Sequence, residues 1–425
     1  MNKGSQKKFI IFLFGSLAAA LGSGMTAFAM GIYVFQKTGL ASSKSFISLF
    51  SFLPTVLLSP LAGVLADKYD RRKLMILADG LSGLGILLIL LSNIFGFESY
   101  PIICLGLFIS AVFSSMIEPA SRATITDIVG EDMYTKASGL VQLVGASRFL
   151  LAPILSSLIL TNLGLKAILI IDILTLFLTI FANSLVARGL DTKEYRNEDS
   201  IKDGFLRGLQ EIKTNQGLYQ MILLSCLLTF AMGFIQELSS PMLLSFTSPN
   251  KLSLAITISA IGMLVSSILL GIFKLKGDHI KIFAISLFFS GLFMATFGLR
   301  ENLILITISG FLFFASLPLL NANLDYLVRV NTPNALQGRI WGIIGILSQM
   351  GYIIAYAIAG PLADLIFTPL LLEKGALASS IGKLIGTGSS RGMGFMIILA
   401  GLILSLSSIF VIHSKEIRAL NKKEN

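Results

Sequence analysis

Runs of about twenty consecutive apolar residues recur along the whole chain, separated by short polar connections, and no water-soluble fold can bury so many of them. Of 425 residues, 54% are hydrophobic and only 13% charged, and the mean hydropathy is +0.84. Polar surface is too scarce to cover a core in water, so lipid is the solvent. In hydrocarbon every backbone amide needs a partner within its helix or within a closed sheet, which leaves helices or a β-barrel. Barrel strands would alternate apolar and polar residues over about ten positions, and the sequence does not. The expected fold is an all-α membrane protein of twelve transmembrane helices, with spans near 9–35, 45–66, 74–95, 101–120, 139–161, 166–187, 218–246, 253–273, 280–299, 302–325, 340–364 and 392–413.

Lysine and arginine concentrate in alternate connections. With both termini cytoplasmic, the runs Lys68–Lys73, Arg188–Lys213 and Lys415–Lys423 lie inside, and the outer side holds only Lys37, Lys44, Lys166, Lys251, Arg300, Lys374, Lys383 and Arg391. This asymmetry predicts an even number of spans and a multi-pass protein of the inner (plasma) membrane. The net charge of +10 comes from these connections and forms no basic domain or aromatic-interleaved patch, which argues against nucleic acid. Lys3, Lys7 and Lys8 followed by an apolar run with Ala27-Phe28-Ala29 imitate a cleaved secretory signal. The run from Phe9 to Phe35 is too long for a signal core, so an uncleaved first span is expected. Cys104 and Cys226 lie in apolar runs and read as small buried hydrophobes.

The one long polar break, 188–217, divides the chain into a six-helix bundle over 1–187, a linker, and a second bundle over 218–425. Inside the break Ser200 and Asp203 have capping-box-like spacing, and Ile201, Phe205, Leu209 and Ile212 recur at helical intervals. Both a helix lying on the inner leaflet and a solvated linker helix fit that pattern. The halves echo each other, since Phe28-Ala29-Met30-Gly31 returns as Phe230-Ala231-Met232-Gly233. An internal duplication of this kind is the architecture of alternating-access transporters.

Between the second and third spans stands Gly63-Val64-Leu65-Ala66-Asp67-Lys68-Tyr69-Asp70-Arg71-Arg72-Lys73. It resembles the loop motif of the major facilitator superfamily, although that family usually has glycine where Asp70 stands. Gly63 is expected to let neighbouring helices approach closely, Asp67 to face a helix amino terminus or a cation, and Arg71 and Arg72 to hold the loop inside. In the second half Gly271 to Asp278 keeps only the ends of the motif and its positive charge. With the loop Pro119–Gly139, the pair Gly338-Arg339 opening the eleventh span and Gly360-Pro361-Leu362-Ala363-Asp364 closing it, the whole chain is similar to the macrolide-efflux group of drug/proton antiporters. Exporters of the superfamily commonly carry Gly-Pro among further glycines in the fifth span, where this chain has Ala152-Pro153 with Ser156 and Ser157. The resemblance implies proton-driven export of small amphipathic compounds by a monomer with no cofactor, and Asp67 as a latch partnered near Arg339. Export or flipping of an endogenous amphiphile, such as a siderophore or lysophospholipid, is the alternative in the same branch. The connection 365–391, rich in glycine and serine, is expected to be a flexible outer loop.

A charge at mid-membrane costs at least about 2.5–3.5 kcal/mol, so each needs a partner or a purpose. Glu237, beside Gln236 and one turn before Pro241, is the only carboxylate in the seventh span and has no basic residue within a helical turn. It is a candidate to carry a proton or to face a cationic substrate, against the plainer reading of a carboxylate touching water near the outer end. Arg148 and Asp172 lie at comparable depth in adjacent spans, where an ion pair would relieve both, as a structural pairing or as a proton-coupled switch. Glu118 with Arg122, and Asp325 with Arg329, are four residues apart at cytoplasmic helix ends and read first as local surface pairs. In the resembled family these ends border the inner mouth of the cavity. Asn321 and Asn323 are expected to line a cavity or bridge helices, since lipid offers an amide no partner. His279 and His413 are the only histidines and sit at membrane edges, so neither a Ser-His-Asp triad nor a histidine metal cluster assembles within the spans, and no nucleotide-binding P-loop is present.

Overall fold

The computed structural model describes residues 3–129, 134–187, 212–273, 277–332 and 337–420. No strand occurs among the described residues. Helices α1 (Lys3–Thr38), α2 (Ala41–Leu57), α3 (Ser59–Lys68), α4 (Arg71–Ile94), α5 (Tyr100–Ser114), α6 (Ile117–Ile128), α7 (Tyr134–Leu150) and α8 (Ala152–Ala187) make up the first part of the chain. The second part holds α9 (Gln216–Leu244), α10 (Pro249–Ile272), α11 (His279–Phe297), α12 (Leu303–Asn331), α13 (Gln337–Leu362), a π-helical turn (Ala363–Phe367), α14 (Thr368–Leu371), α15 (Ile381–Ile385), α16 (Ser389–His413) and α17 (Lys415–Ala419).

Local chemistry explains where these helices start and bend. Asp70 caps α4 by accepting the N–H of Arg72 at 3.0 Å. Asp278 caps α11 through Ile280 and Lys281, and Asn302 caps α12 through Ile304 and Leu305. Each short polar side chain takes amide donors that the first turn leaves unpaired. Between α2 and α3 the axis bends by 48°. Pro60 there removes the bond to the Val56 carbonyl, and the Ser59 hydroxyl donates to that oxygen instead at 2.9 Å.

Among the described residues ten helices are long and apolar enough to cross a bilayer, or eleven if the bent pair α2–α3 is one span. One of the ten, Gly139–Val186, runs 48 residues, about 70 Å if it were straight and more than twice the hydrocarbon thickness. Within it Gly164 adopts φ 77° and ψ 178°, a conformation open to glycine that breaks the helix. Two crossings joined at Gly164 are consistent with the twelve spans expected.

Contacts group the chain into two compact units, Met1–Gly39 with Phe46–Glu198, and Leu40–Ser45 with Asp199–Asn425. The first turn of α2 therefore counts with the second unit. In the first unit α1 packs along α8 and α7, and α4 along α5 and α8. In the second α9 packs on α13 and α16, α10 on α12, and α11 on α12 and α16. Small residues set the closest approaches. A Cβ on Gly85 would lie 2.2 Å from the Gly106 carbonyl, and one on Gly291 would lie 2.4 Å from that of Gly401. Without a hydrophobic drive between helices in lipid, such close contact supplies the packing attraction. Leu77, Phe177, Phe181, Ile268, Ile304 and Leu406 stand exposed, as side chains that face lipid do.

The expected linker helix lies outside the described residues, apart from the last turn before α9, where Ile212 is buried and Asn215 caps the helix through Leu218. The connection 365–391 departs from expectation. Instead of a flexible loop, 365–391 contains the end of the π-turn, α14 and α15, and ends on Arg391, which is only 1% exposed. Its guanidinium donates to the carbonyls of Ile385 at 3.2 Å and Gly298 at 3.4 Å and lies 3.6 Å from Glu301. Glycine and serine content signals backbone freedom, but backbone bonds such as Leu377 N–H to Leu370 O at 3.0 Å and Gly388 N–H to Leu371 O at 2.9 Å, together with the buried Arg391, fold the segment back on itself.

Candidate functional site

Helix α9 continues through Pro241, which has no N–H to offer the carbonyl four residues before it. That carbonyl belongs to Glu237, and Lys44 takes it. Lys44 Nζ donates to Glu237 O at 3.1 Å, to Gln236 O at 2.7 Å and to Glu237 Oε2 at 3.1 Å. Both residues are buried, Glu237 at 2% and Lys44 at 8% exposure. Gln236 Oε1 in turn accepts the hydroxyl of Tyr356 at 2.7 Å, and Tyr356 packs beside Tyr352 with ring centroids 5.9 Å apart. The Lys44 ammonium thus sits among three acceptor oxygens.

This corrects the expectation that nothing basic holds Glu237. No partner exists within a turn of α9, but Lys44, counted among the outer lysines, reaches it from 193 positions away. Spacing along one helix cannot reveal such a partner.

In the first unit Asp172 is 3% exposed and accepts the Thr26 hydroxyl at 2.6 Å. Arg148, on α7, donates to the Ser23 hydroxyl at 2.9 Å. The two charges form no ion pair within 4.0 Å, contrary to expectation. Helix α1 provides the physical reason. A Cβ on its Gly22 would lie 2.7 Å from Asp172 Oδ1, and one on its Gly24 would lie 2.9 Å from Arg148 Cγ, so each side chain rests against α1 and uses an α1 hydroxyl. The two charges still act on each other across that helix face, so neutralising Arg148 and Asp172 together should cost less than the sum of the single changes, with a coupling of about 0.5–1 kcal/mol in thermal melts of the purified variants. A coupling near about 3 kcal/mol would require direct contact.

Asp79, which the sequence reading passed over, is a third buried carboxylate. It is 1% exposed and accepts the Asn183 amide at 3.3 Å. Its signal was present, since it stands inside the apolar run 74–95 and the cost of a charge in lipid applies to it as to Glu237.

Asn323 is fully buried and bridges helices, its Oδ1 lying 2.8 Å from His279 Nδ1 while its Nδ2 donates to Leu319 O at 2.7 Å. Tyr326 stacks on the same imidazole with centroids 3.7 Å apart. Asn321 is exposed and takes no part in that bridge. Glu118 and Arg122 meet at 2.7 Å with more than 70% of each side chain exposed, a surface pair of little energetic weight. Near the C-terminal ends of α1 and α4, Glu98 accepts Tyr33 at 2.8 Å and Lys37 at 3.0 Å and is also bonded by Asn93. Burial alone would push its carboxyl up, but these three donors together hold it below the usual carboxylate range.

Of the expected latch, the side chains of Asp67 and Arg339 lie outside the described residues. Nothing described lies within 4 Å of where a Cβ on Gly63 would be. Arg71 is half-buried and Arg72 is 5% exposed at the start of α4. The aspartate found where the family usually has glycine proves compatible with the turn, since Asp70 keeps φ at −58° and caps the helix.

The family model for the Major Facilitator Superfamily matches residues 12–356. The chain is 26% identical over 374 residues to Macrolide efflux protein A of Streptococcus pyogenes, covering 84% of this chain and 89% of that one. It is 22% identical over 387 residues to the multidrug efflux pump Tap of Mycolicibacterium fortuitum, covering 86% and 91%. Among solved structures, a mutant of the nucleoside transporter NupG superposes with a TM-score of 0.77 at 14% identity, over 95% of this chain and 99% of that one. An inward-facing bacterial homologue of the lysosomal transporter Spinster gives 0.76 at 12% identity, over 100% and 99%.

Proposed function

We propose that this chain, which belongs to the Major Facilitator Superfamily, exports small amphipathic or hydrophobic compounds, macrolide-like cations among them, in exchange for protons. It is a multi-pass membrane transporter and not an enzyme. The proposal adds direction, energy source and substrate class, with the protein in the cell membrane and both termini cytoplasmic.

The observation that carries the reading is the Lys44 ammonium seated on Glu237 at the Pro241 break. A buried ion pair gains little net stability over apolar packing, because desolvation offsets most of the attraction. Stability therefore does not call for the pair, whereas exchange does. Glu237 has three competing partners of the same charge: Lys44, a proton and a cationic substrate. Whichever binds displaces the others, and that exclusivity couples substrate to proton. A charge moving through the membrane potential gains about 2.3 kcal/mol per 100 mV, enough to drive a roughly fiftyfold gradient per proton. The efflux names of the two relatives support the direction of transport.

A panel of labelled compounds in energised inverted vesicles tests this reading. Uptake of lipophilic amines that collapses with an uncoupler is the expected result, and uptake indifferent to the uncoupler would contradict proton drive. Preference for a lysophospholipid or siderophore in the same panel would move the substrate class to an endogenous amphiphile. Asp67→Asn should leave the protein inserted but slow that uptake sharply, because the residue is read as a latch on a helix amino terminus. Uptake at the wild-type rate would remove Asp67 from the cycle.

A further inference from the structure

A five-residue pattern occurs twice in this chain. Gly63-Val64-Leu65-Ala66-Asp67 lies near the end of α3, and Gly360-Pro361-Leu362-Ala363-Asp364 spans the end of α13. The second copy shows what the pattern does. Asp364 Oδ1 accepts the N–H of Ala41 at 3.0 Å and Oδ2 accepts the N–H of Ser42 at 2.8 Å. One carboxylate thereby satisfies two of the unpaired amides at the positive end of α2. Gly360 supplies the room. A Cβ there would lie 2.3 Å from Ser42 Cα and 2.6 Å from its nitrogen, so any larger residue would push the turn away. Two residues beyond Ser42 stands Lys44, whose ammonium rests on Gln236 and Glu237. The turn Leu40–Ser45 is thus held at its amides by α13 and the π-turn, and at its side chain by α9.

We infer that Asp364 is a positioning residue for transport: by capping α2 it keeps Lys44 on Glu237, and its release frees Glu237 for a cationic substrate. The inference rests on Glu237 being the exchanging carboxylate. Loss of the cap leaves two amides without their charged acceptor, the turn frays, and Lys44 loses its fixed origin. The glycine-then-aspartate spacing is the device that the sequence assigns to Asp67 at the end of α3, here used on the amino end of α2.

Site-specific alkylation of purified protein tests this. Ser43, 8% exposed, is replaced by cysteine in a chain whose Cys104 and Cys226 are serine, and its reaction with a hydrophilic maleimide is timed. Asp364→Asn should raise the labelling rate about tenfold, the weight of a lost helix cap, and Asp364→Glu should recover part of the protection. Gly360→Ala should raise it too without altering any charge. In transport, Asp364→Asn should lower the apparent KM for a lipophilic cation such as tetraphenylphosphonium and leave that of a neutral compound unchanged, a split that a merely structural cap would not produce. Labelling within about twofold of the parent in both variants would overturn the inference. Should neither variant accumulate, the Ser43→Cys parent decides: saturating tetraphenylphosphonium must accelerate its labelling, and an unchanged rate overturns the proposal. Faster labelling in the variants of a protein that moves no compound in vesicles would leave the cap standing and remove the export reading.

Discussion

Replacing Lys44 with methionine is expected to destabilise the purified protein by about 3–5 kcal/mol, because it strands the Glu237 carboxylate in a buried site built for an ammonium. The same change leaves Glu237 O, already without a helical donor at Pro241, short of its partner. Glu237→Gln should cost less than Lys44→Met, since the amide still offers an oxygen to Lys44 and the two backbone carbonyls remain. The double variant Lys44→Met/Glu237→Gln should be more stable than Lys44→Met alone, as removing both charges abolishes the uncompensated one. Thermal melts of the four proteins form the cycle. Strict additivity would show that the two charges do not interact in the folded protein.

The second large effect is on transport. Glu237→Gln should insert and accumulate normally, keep transporting neutral compounds, and lose most export of lipophilic cations. A permanently neutral amide can neither exchange a proton nor compensate an ammonium, so the pH dependence of export should flatten as well. Removing an uncompensated contact with a buried charge is worth roughly 2–5 kcal/mol, which corresponds to a loss of at least about thirtyfold in binding of the cation. Initial rates for a matched amine and its uncharged analogue, measured across pH 5 to 9, separate this from a general defect. Equal losses for both compounds would reduce Glu237 to a structural role.

Most of the fold was legible because lipid imposes so few solutions. Apolar run length follows from the cost of moving peptide groups and charges into hydrocarbon, and it alone points to the all-helical membrane fold. What remained hidden was long-range geometry. Glu237 was identifiable from its run and from Pro241, but Lys44 was not, because its apparent place was an outer connection and its partner lies in another helix. Arg148 and Asp172 stand at comparable depth but form no ion pair within 4.0 Å, since each side chain hydrogen-bonds a hydroxyl of α1, Ser23 and Thr26, that spacing along two other helices does not reveal. Arg391 was counted only as an outer charge. Its burial depends on carbonyls of Ile385 and Gly298 that composition does not record. Asp79 alone was within reach of the rule applied to its neighbours.

Proton movement driven by a cationic compound tests the exchange at Glu237 most directly. Purified protein in proteoliposomes loaded with a pH-sensitive dye is given a lipophilic amine, and the internal pH is followed beside Glu237→Gln and Lys44→Met/Glu237→Gln reconstituted at the same density. Exchange predicts a pH change in the wild type that scales with the amine taken up and is absent from both variants. An equal, amine-dependent pH change in wild type and Glu237→Gln would contradict it.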